Sequence, residues 1–315
     1  MRFLFAAVIV LCMSCATLLP DNQNVLEKQT TQEPSSLIQY PANNPDNYSP
    51  GEGWVLVWSD EFNNGTFDET IWTRQKMLYP YNNEFQQYTG DPETAYVDNG
   101  NLVLKAAKTR ETIMRTGFSS ARVISNPGGN DGESPAKGKT FLYGKIAARI
   151  QLPYGRGIWP AFWLVGDNIS ETGGDTNWPV CGEIDILEAG SNLAPGNGDG
   201  TITGALHHDP SLENRVQMNQ WLAAGKYTIP NGELFAEKFH VFEIEWDEKK
   251  IVWKLDGEKW GEVSISESTR DEFHKPFYAI FNIAVGGSYT FSPDESTPFP
   301  QYMLVDWIRE YKKAD

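Results

Sequence analysis

The side chains best equipped for chemistry in this sequence are three acids placed close together. Glu183, Asp185 and Glu188 lie in the run Trp178-Pro179-Val180-Cys181-Gly182-Glu183-Ile184-Asp185-Ile186-Leu187-Glu188-Ala189. On a strand, alternate side chains share a face. Glu183 and Asp185 therefore point together, and Ile184 and Ile186 point into the core. Glu188 has the wrong parity, because it sits five residues after Glu183. Burying it among isoleucines without a partner is expensive. A β-bulge near Ile186-Leu187 resolves the conflict, since one extra residue returns Glu188 to the face of Glu183.

Three acids on one face repel one another, which raises at least one pKa. The plain alternative is the polar face of a surface strand. Acids are poor strand residues, however, and three mutually repelling ones do not stabilise such a face. Perturbed acids gathered among aromatics indicate a site. Two carboxylates that differ in proton affinity suit the cleavage of a glycosidic bond. Retention of the anomeric configuration needs carboxyls about 5–5.5 Å apart, and inversion about 6.5–9.5 Å. Neighbours on one strand face fall nearer the first range. Glu183 is then the nucleophile at the anomeric carbon. Glu188 protonates the leaving oxygen and later activates water. Asp185 lies between them and tunes both charges.

These acids need a rigid sheet beneath them, and the surrounding sequence supplies one. From Trp54 onward, short β-rich runs alternate with Gly, Asn, Asp and Pro turns. Asn101-Leu102-Val103-Leu104-Lys105 follows an Asn-Gly turn at Asn99-Gly100. Residues 144–152, 241–246, 251–255 and 305–311 read as further strands, several with strict polar–apolar alternation. Many short strands with regular turn signals indicate an all-β sandwich. Glu213 to Ala224 is compatible with a short helix or a loop. Trp159 and Trp163 share parity on one strand, and Pro160 requires that strand to be an edge or to bend there. There is no internal repeat and no second domain.

The termini and composition bound the setting. Residues 1–15 resemble a lipoprotein-type signal: Arg2, an apolar run from Phe3 to Leu11, then Leu11-Cys12-Met13-Ser14-Cys15. This run is too short to span a bilayer as a mature helix. It predicts export, with lipidation at Cys15 as an outer-membrane or cell-surface lipoprotein, or else cleavage to a secreted or periplasmic protein. Residues 16–50 have the composition of a polar flexible linker. Residues 51–315 form the catalytic domain. The net charge of −16 argues against nucleic acid, which is bound through Lys and Arg. A neutral partner fits better. Only three Cys are present, two of them in the signal, so there is no disulfide framework. Four His without paired spacing do not make a zinc site.

The acidic run Glu-Ile-Asp-Ile-Leu-Glu resembles the signature of glycoside hydrolase family 16 in its bulged, laminarinase-like form. The unbulged form, with the second Glu one residue sooner, is that of bacterial lichenases. The resemblance extends over about residues 54–312. It includes Val57-Trp58-Ser59-Asp60-Glu61-Phe62, Asn82-Asn83-Glu84, Gly157 to Trp163, Phe281 to Gly287 and Met303 to Trp307. It implies a concanavalin-like β-jelly-roll sandwich of two curved antiparallel sheets with an open cleft. It also implies a retaining endo-acting enzyme on laminarin-type β-1,3-glucan, with mixed-linkage β-1,3/1,4-glucan as a further substrate. A galactan of agar or carrageenan type, or non-catalytic β-glucan binding on the same fold, are the alternatives. No cofactor is required for catalysis, and the protein is expected to be a monomer.

By the same resemblance, Trp159, Asn83, Glu84, Arg122 and His207 line the cleft, with His207 near the acid/base. Trp163 and Trp178 are added as sugar-stacking candidates. For each Trp the alternative is core packing. For Asn83 it is an ordinary turn, and for Arg122 a solvated strand position. His208 should face away from His207. A structural calcium on the convex face is implied as well, held by Glu61, the Gly100 carbonyl and Asp306; oxygen ligands suit that ion.

Overall fold

The structure is a computed structural model and describes residues 38–41, 45–110, 112–125, 138–209 and 220–314, with side chains undescribed at residues 220, 221 and 269. The signal at 1–15 and most of the 16–50 linker lie outside the described residues. The chain divides into Met1–Gln39 and Tyr40–Asp315, and every element named below belongs to the second unit.

Two β-sheets build that unit. The outer sheet runs in the order Glu258–Ser264, Lys250–Leu255, His240–Trp246, Gly144–Gln151, Gln301–Lys313, Asn101–Lys108, Phe118–Ser120, Gln86–Thr89 and Lys76–Met77. The cleft sheet runs Gln220–Thr228, Thr201–His208, Glu183–Ala189, Ile158–Gly166, Phe277–Val285, Arg122–Ile124 and Thr73–Arg74. Pairing is antiparallel except between Gln86–Thr89 and Phe118–Ser120. The expected jelly-roll sandwich is thus the fold found.

Alternation explains how the sheets meet. In Ile158–Gly166, Ile158, Phe162 and Leu164 enter the core, while Trp159, Ala161, Trp163 and Val165 line the cleft. In Phe277–Val285, Phe281, Ile283 and Val285 enter the core, and Asn282 and Ala284 face the cleft. Phe162 stacks on its register partner Phe281 at 4.6 Å. Each such ring is worth roughly 1.5–3 kcal/mol on burial. Trp246 and Trp253 close the core from the outer sheet. The Asn99-Gly100 turn is present, with φ of 47° and 72° joining Asp98 to Asn101. Positive φ at both central residues is the geometry that hairpin turns favour.

Three expectations need correction. Pro160 lies in an interior strand, flanked by Glu183–Ala189 and Phe277–Val285. It is tolerated because pairing with the catalytic strand begins only at Ala161. Residues 220–224 belong to the strand Gln220–Thr228, and residues 213–219 fall outside the described residues. The linker assigned to 16–50 extends too far. Tyr48 packs between Trp307 and Tyr311 on the outer sheet and donates to Glu243. Asp46 accepts from Trp307 Nε1 at 3.0 Å, and Lys145 donates to the Pro50 carbonyl at 2.7 Å. Residues 45–50 are therefore a strap, held because they satisfy polar groups buried on that face.

Candidate active site

The catalytic-strand bulge is where parity places it. Asp185 pairs with Ala205 and Glu188 with Thr203, so three steps on one strand match two on the other. On the opposite side, Trp163 pairs with Asp185 and Phe162 with Leu187. Ile184, Ile186 and Leu187 all enter the core, while Glu183, Asp185 and Glu188 line one cavity of about 580 Å³. The extra residue thus keeps the apolar side chains inside and brings the third acid out.

Each glutamate has its own indole donor. Trp178 Nε1 donates to Glu183 Oε2 at 3.0 Å, and Trp159 Nε1 donates to Glu188 Oε1 at 3.0 Å. His207, the register partner of Glu183, places Nε2 3.3 Å from Asp185 Oδ2 and 3.6 Å from Glu183 Oε1. It was expected close to the acid/base; its charge does act on Glu188, and its ion contacts are with Glu183 and Asp185. His208 faces the core and is fully buried.

The electrostatics separate the two glutamates. Burial pushes Glu183 up to about 8, with the Asp185 charge adding to the rise, while His207, Trp178 and Arg122 pull it back. Burial likewise holds Glu188 well above the usual carboxylate range, and there the charges of both Asp185 and Glu183 add to it. The two glutamates repel each other equally, but His207 lies 3.6 Å from Glu183 and the Arg122 charge also lowers its pKa, so the shared proton favours Glu188. That asymmetry gives one carboxylate as a nucleophile and one carboxylic acid as a donor.

Around the pair lies a buried polar network. Arg122 is buried, pairs with Glu171 at 3.2 Å and stacks its guanidinium 5.1 Å from the Trp163 ring. It is not a solvated strand residue. Trp163 donates to Asn282, Asn282 to Tyr88, and Tyr88 to Glu84. Glu84 also accepts from Gln86 and Asn82, and burial raises its pKa. Asn83 does not line the cavity; it and Asn82 both have positive φ in a turn, and Asn82 takes the place beside Glu84. Trp178 is 40% exposed at the rim, free to offer a ring face to a sugar.

Tyr289 was not singled out in the sequence. It stacks on Trp159 at 4.8 Å, exchanges a hydrogen bond with Thr203 at 2.9 Å and reaches the Glu188 carbonyl at 3.4 Å. It thereby braces the indole that holds Glu188. Asn282, Glu171 and Tyr88 were missed too, though Asn282 is a polar residue in an otherwise apolar run.

The residues proposed for calcium do not fit that ion as arranged. Arg309 donates to both oxygens of Glu61, at 2.9 and 2.8 Å. Arg149 donates to Asp306 at 2.5 Å. Guanidinium groups occupy the positions where a cation would neutralise the carboxylates, in the two-bond fork that Arg favours at Glu61. Gly100 serves the hairpin turn. Cys181 is a buried free thiol, pushed up to about 12 by burial.

Comparison with known proteins agrees with this geometry. A "Glucan endo-1,3-beta-glucosidase A1" from Niallia circulans is 31% identical over 83% of this chain, which spans only 38% of that relative's length. A "Beta-glucanase" from Rhodothermus marinus is 32% identical over 82% of this chain and 85% of its own. The catalytic domain of an endo-1,3-beta-glucanase (laminarinase) from Thermotoga petrophila superposes with a TM-score of 0.67 at 36% identity, covering 83% of this chain and 99% of that one. Residues 82–309 match the model for Glycosyl hydrolases family 16. That span holds the bulged strand, its two indole donors and the network beneath them, and the chain belongs to glycoside hydrolase family 16.

Proposed function

We propose that this protein is a retaining endo-β-1,3-glucanase acting on laminarin-type glucans and, secondarily, on mixed-linkage β-1,3/1,4-glucans. The observation that carries the reading is the pair Glu183 and Glu188 on one bulged strand face, each under its own indole donor and unequal in proton affinity. Glu183 attacks the anomeric carbon while Glu188 gives its proton to the leaving glycosidic oxygen. The C–O bond breaks, and a glycosyl ester forms on Glu183. Glu188, now a carboxylate, takes a proton from water. The resulting hydroxide attacks the anomeric carbon, releases Glu183 and restores the configuration. Asp185 and His207, in contact beside Glu183, hold the local charge steady through both steps.

Trp178 and Trp159 supply apolar ring faces suited to a neutral sugar, and Arg122, Glu84 and Asn82 supply hydrogen-bonding groups deeper in the cleft. The test is a panel of laminarin, lichenan, agarose, carrageenan and xyloglucan, with proton NMR of the first-formed anomer. Laminarin cleavage with β-anomer appearing first is expected. Activity confined to the galactans replaces the substrate, and an α-anomer first overturns retention. A glucan-binding role without hydrolysis is the outcome if binding occurs and no product forms.

The signal-like run at residues 1–15 supports a reading of export with lipidation at Cys15 as an outer-membrane or cell-surface lipoprotein, with secretion or a periplasmic location as the alternative. Metabolic labelling with a fatty acid should mark the wild type and not Cys15→Ser; equal labelling of both would remove the anchor.

A further inference from the structure

The bulge sets the face of Glu188, so its shape must be held. Opposite it on Thr201–His208 lies Gly204, between Ala205, the partner of Asp185, and Thr203, the partner of Glu188. A Cβ at Gly204 would lie 2.7 Å from Trp253 Nε1 and 2.8 Å from its Cδ1. Gly204 is not among the residues with positive φ, so the position is small for space and not for backbone freedom. The indole of Trp253 fills that space. Trp253 belongs to Lys250–Leu255 of the outer sheet and is fully buried in the core between the sheets. Its Nε1 crosses the core and donates to the Asp185 carbonyl at 2.7 Å.

A bulge disrupts the ladder locally, and buried backbone carbonyls require a donor. Here the donor comes from the other sheet, at the residue where the bulge starts. We propose that Trp253 is a positioning residue for the catalytic pair. Its N–H, admitted by the gap at Gly204, locks the bulge in the shape that turns Glu188 into the cleft. The contact fixes three consecutive facts of the site: the direction of the Asp185 side chain, the extra residue, and the reach of Glu188 to Trp159. This rests on the reading of Glu183 and Glu188 as nucleophile and acid/base. A ring that merely fills the core needs no N–H, and that difference is measurable.

Trp246 provides a matched control. It is also fully buried, in the neighbouring strand His240–Trp246, and its Nε1 donates to the Phe273 carbonyl at 3.1 Å. Both Trp253→Phe and Trp246→Phe remove one indole, one buried N–H and a similar volume. Trp253→Phe is expected to lower kcat by about tenfold or more, as small misplacements of reacting groups do. KM should stay within about twofold if substrate contacts are intact. The upper limb of its pH–kcat/KM profile should move, because Glu188 sits differently. Trp246→Phe should lose thermal stability alone, with kcat and pH profile unchanged. If Trp253→Phe does not fold, replacement of Trp253 by benzothienylalanine keeps the ring shape, puts sulfur in place of N–H, and decides the matter. Unaltered kcat and pH profile in that variant, or in a folded Trp253→Phe, overturn the proposal. So does an equal loss in Trp246→Phe. Absence of wild-type activity on every glucan would instead strike the functional reading, and a ¹³C-carboxyl titration of Glu188 in both proteins would still test the contact.

Discussion

Glu183 and Glu188 carry the same side chain and differ only in what surrounds them. Glu183 touches His207 and Trp178 and feels Arg122, whereas Glu188 takes its hydrogen bond from Trp159 and is held higher. Glu188→Ala should lower kcat about 10²–10⁴-fold on glucans, the usual worth of a general acid. Azide should restore turnover and yield a β-glycosyl azide, detected by mass spectrometry and NMR. Arg122→Leu removes a positive charge that lowers the Glu183 pKa, so the acidic limb of the kcat/KM profile should move to higher pH. The same asymmetry shapes stability. Burial pushes Glu183 up to about 8 in the folded protein, well above the ordinary carboxylate range near 4.5. A raised folded pKa contributes stability that is full below the unfolded pKa and is lost as pH rises through the folded one. That window runs from about pH 4.5 to 8. Glu183→Gln should therefore raise Tm clearly at pH 8 and little at pH 5, measured by calorimetry at both values, while abolishing hydrolysis.

The catalytic strand shows what one extra residue does to an element. Deleting Leu187 leaves Glu-Ile-Asp-Ile-Glu, an unbroken alternation that keeps the last acid on the cleft face. Inserting one Ala after Leu187 makes the spacing six, again even, but carries the last acid further along the strand from Glu183 and sets Leu187 on the alternation of the cleft face. The deletion should fold and retain measurable laminarin hydrolysis; the insertion should lose both activity and several degrees of Tm. Circular dichroism melts with kcat/KM on both variants check this. The bulge was legible in the sequence because it repairs a parity conflict inside six residues. The strands at 101–105, 144–152 and 241–246 were legible because alternation and turn residues are local signals. Asn83 misled because two adjacent Asn residues share a turn, and only the backbone path decides that Asn82 meets Glu84. Tyr289 and Trp253 left no mark, since each acts on the site from a strand or loop far along the chain. Long-range contacts have no period.

Across the whole molecule, the outer sheet depends on residues that composition assigned to a linker. Tyr48 serves Glu243, Asp46 serves Trp307 and Arg309, and the Pro50 carbonyl serves Lys145. Tyr48→Phe leaves Glu243 buried with one donor fewer. It should cost about 1–3 kcal/mol, read as a lower denaturant midpoint, with kcat unchanged because the strap lies on the sheet opposite the cleft. The cleft itself has an optical consequence. Trp159 and Trp178 are each bonded through Nε1 to one member of the carboxylate pair, and one is buried while the other stands 40% exposed. Indole emission responds to a neighbouring charge, so the protein's intrinsic fluorescence should carry two separate titrations. Acrylamide would quench the Trp178 signal that reports on Glu183 and spare the Trp159 signal that reports on Glu188. The ionisation of nucleophile and acid can then be followed by light, one at a time, without substrate.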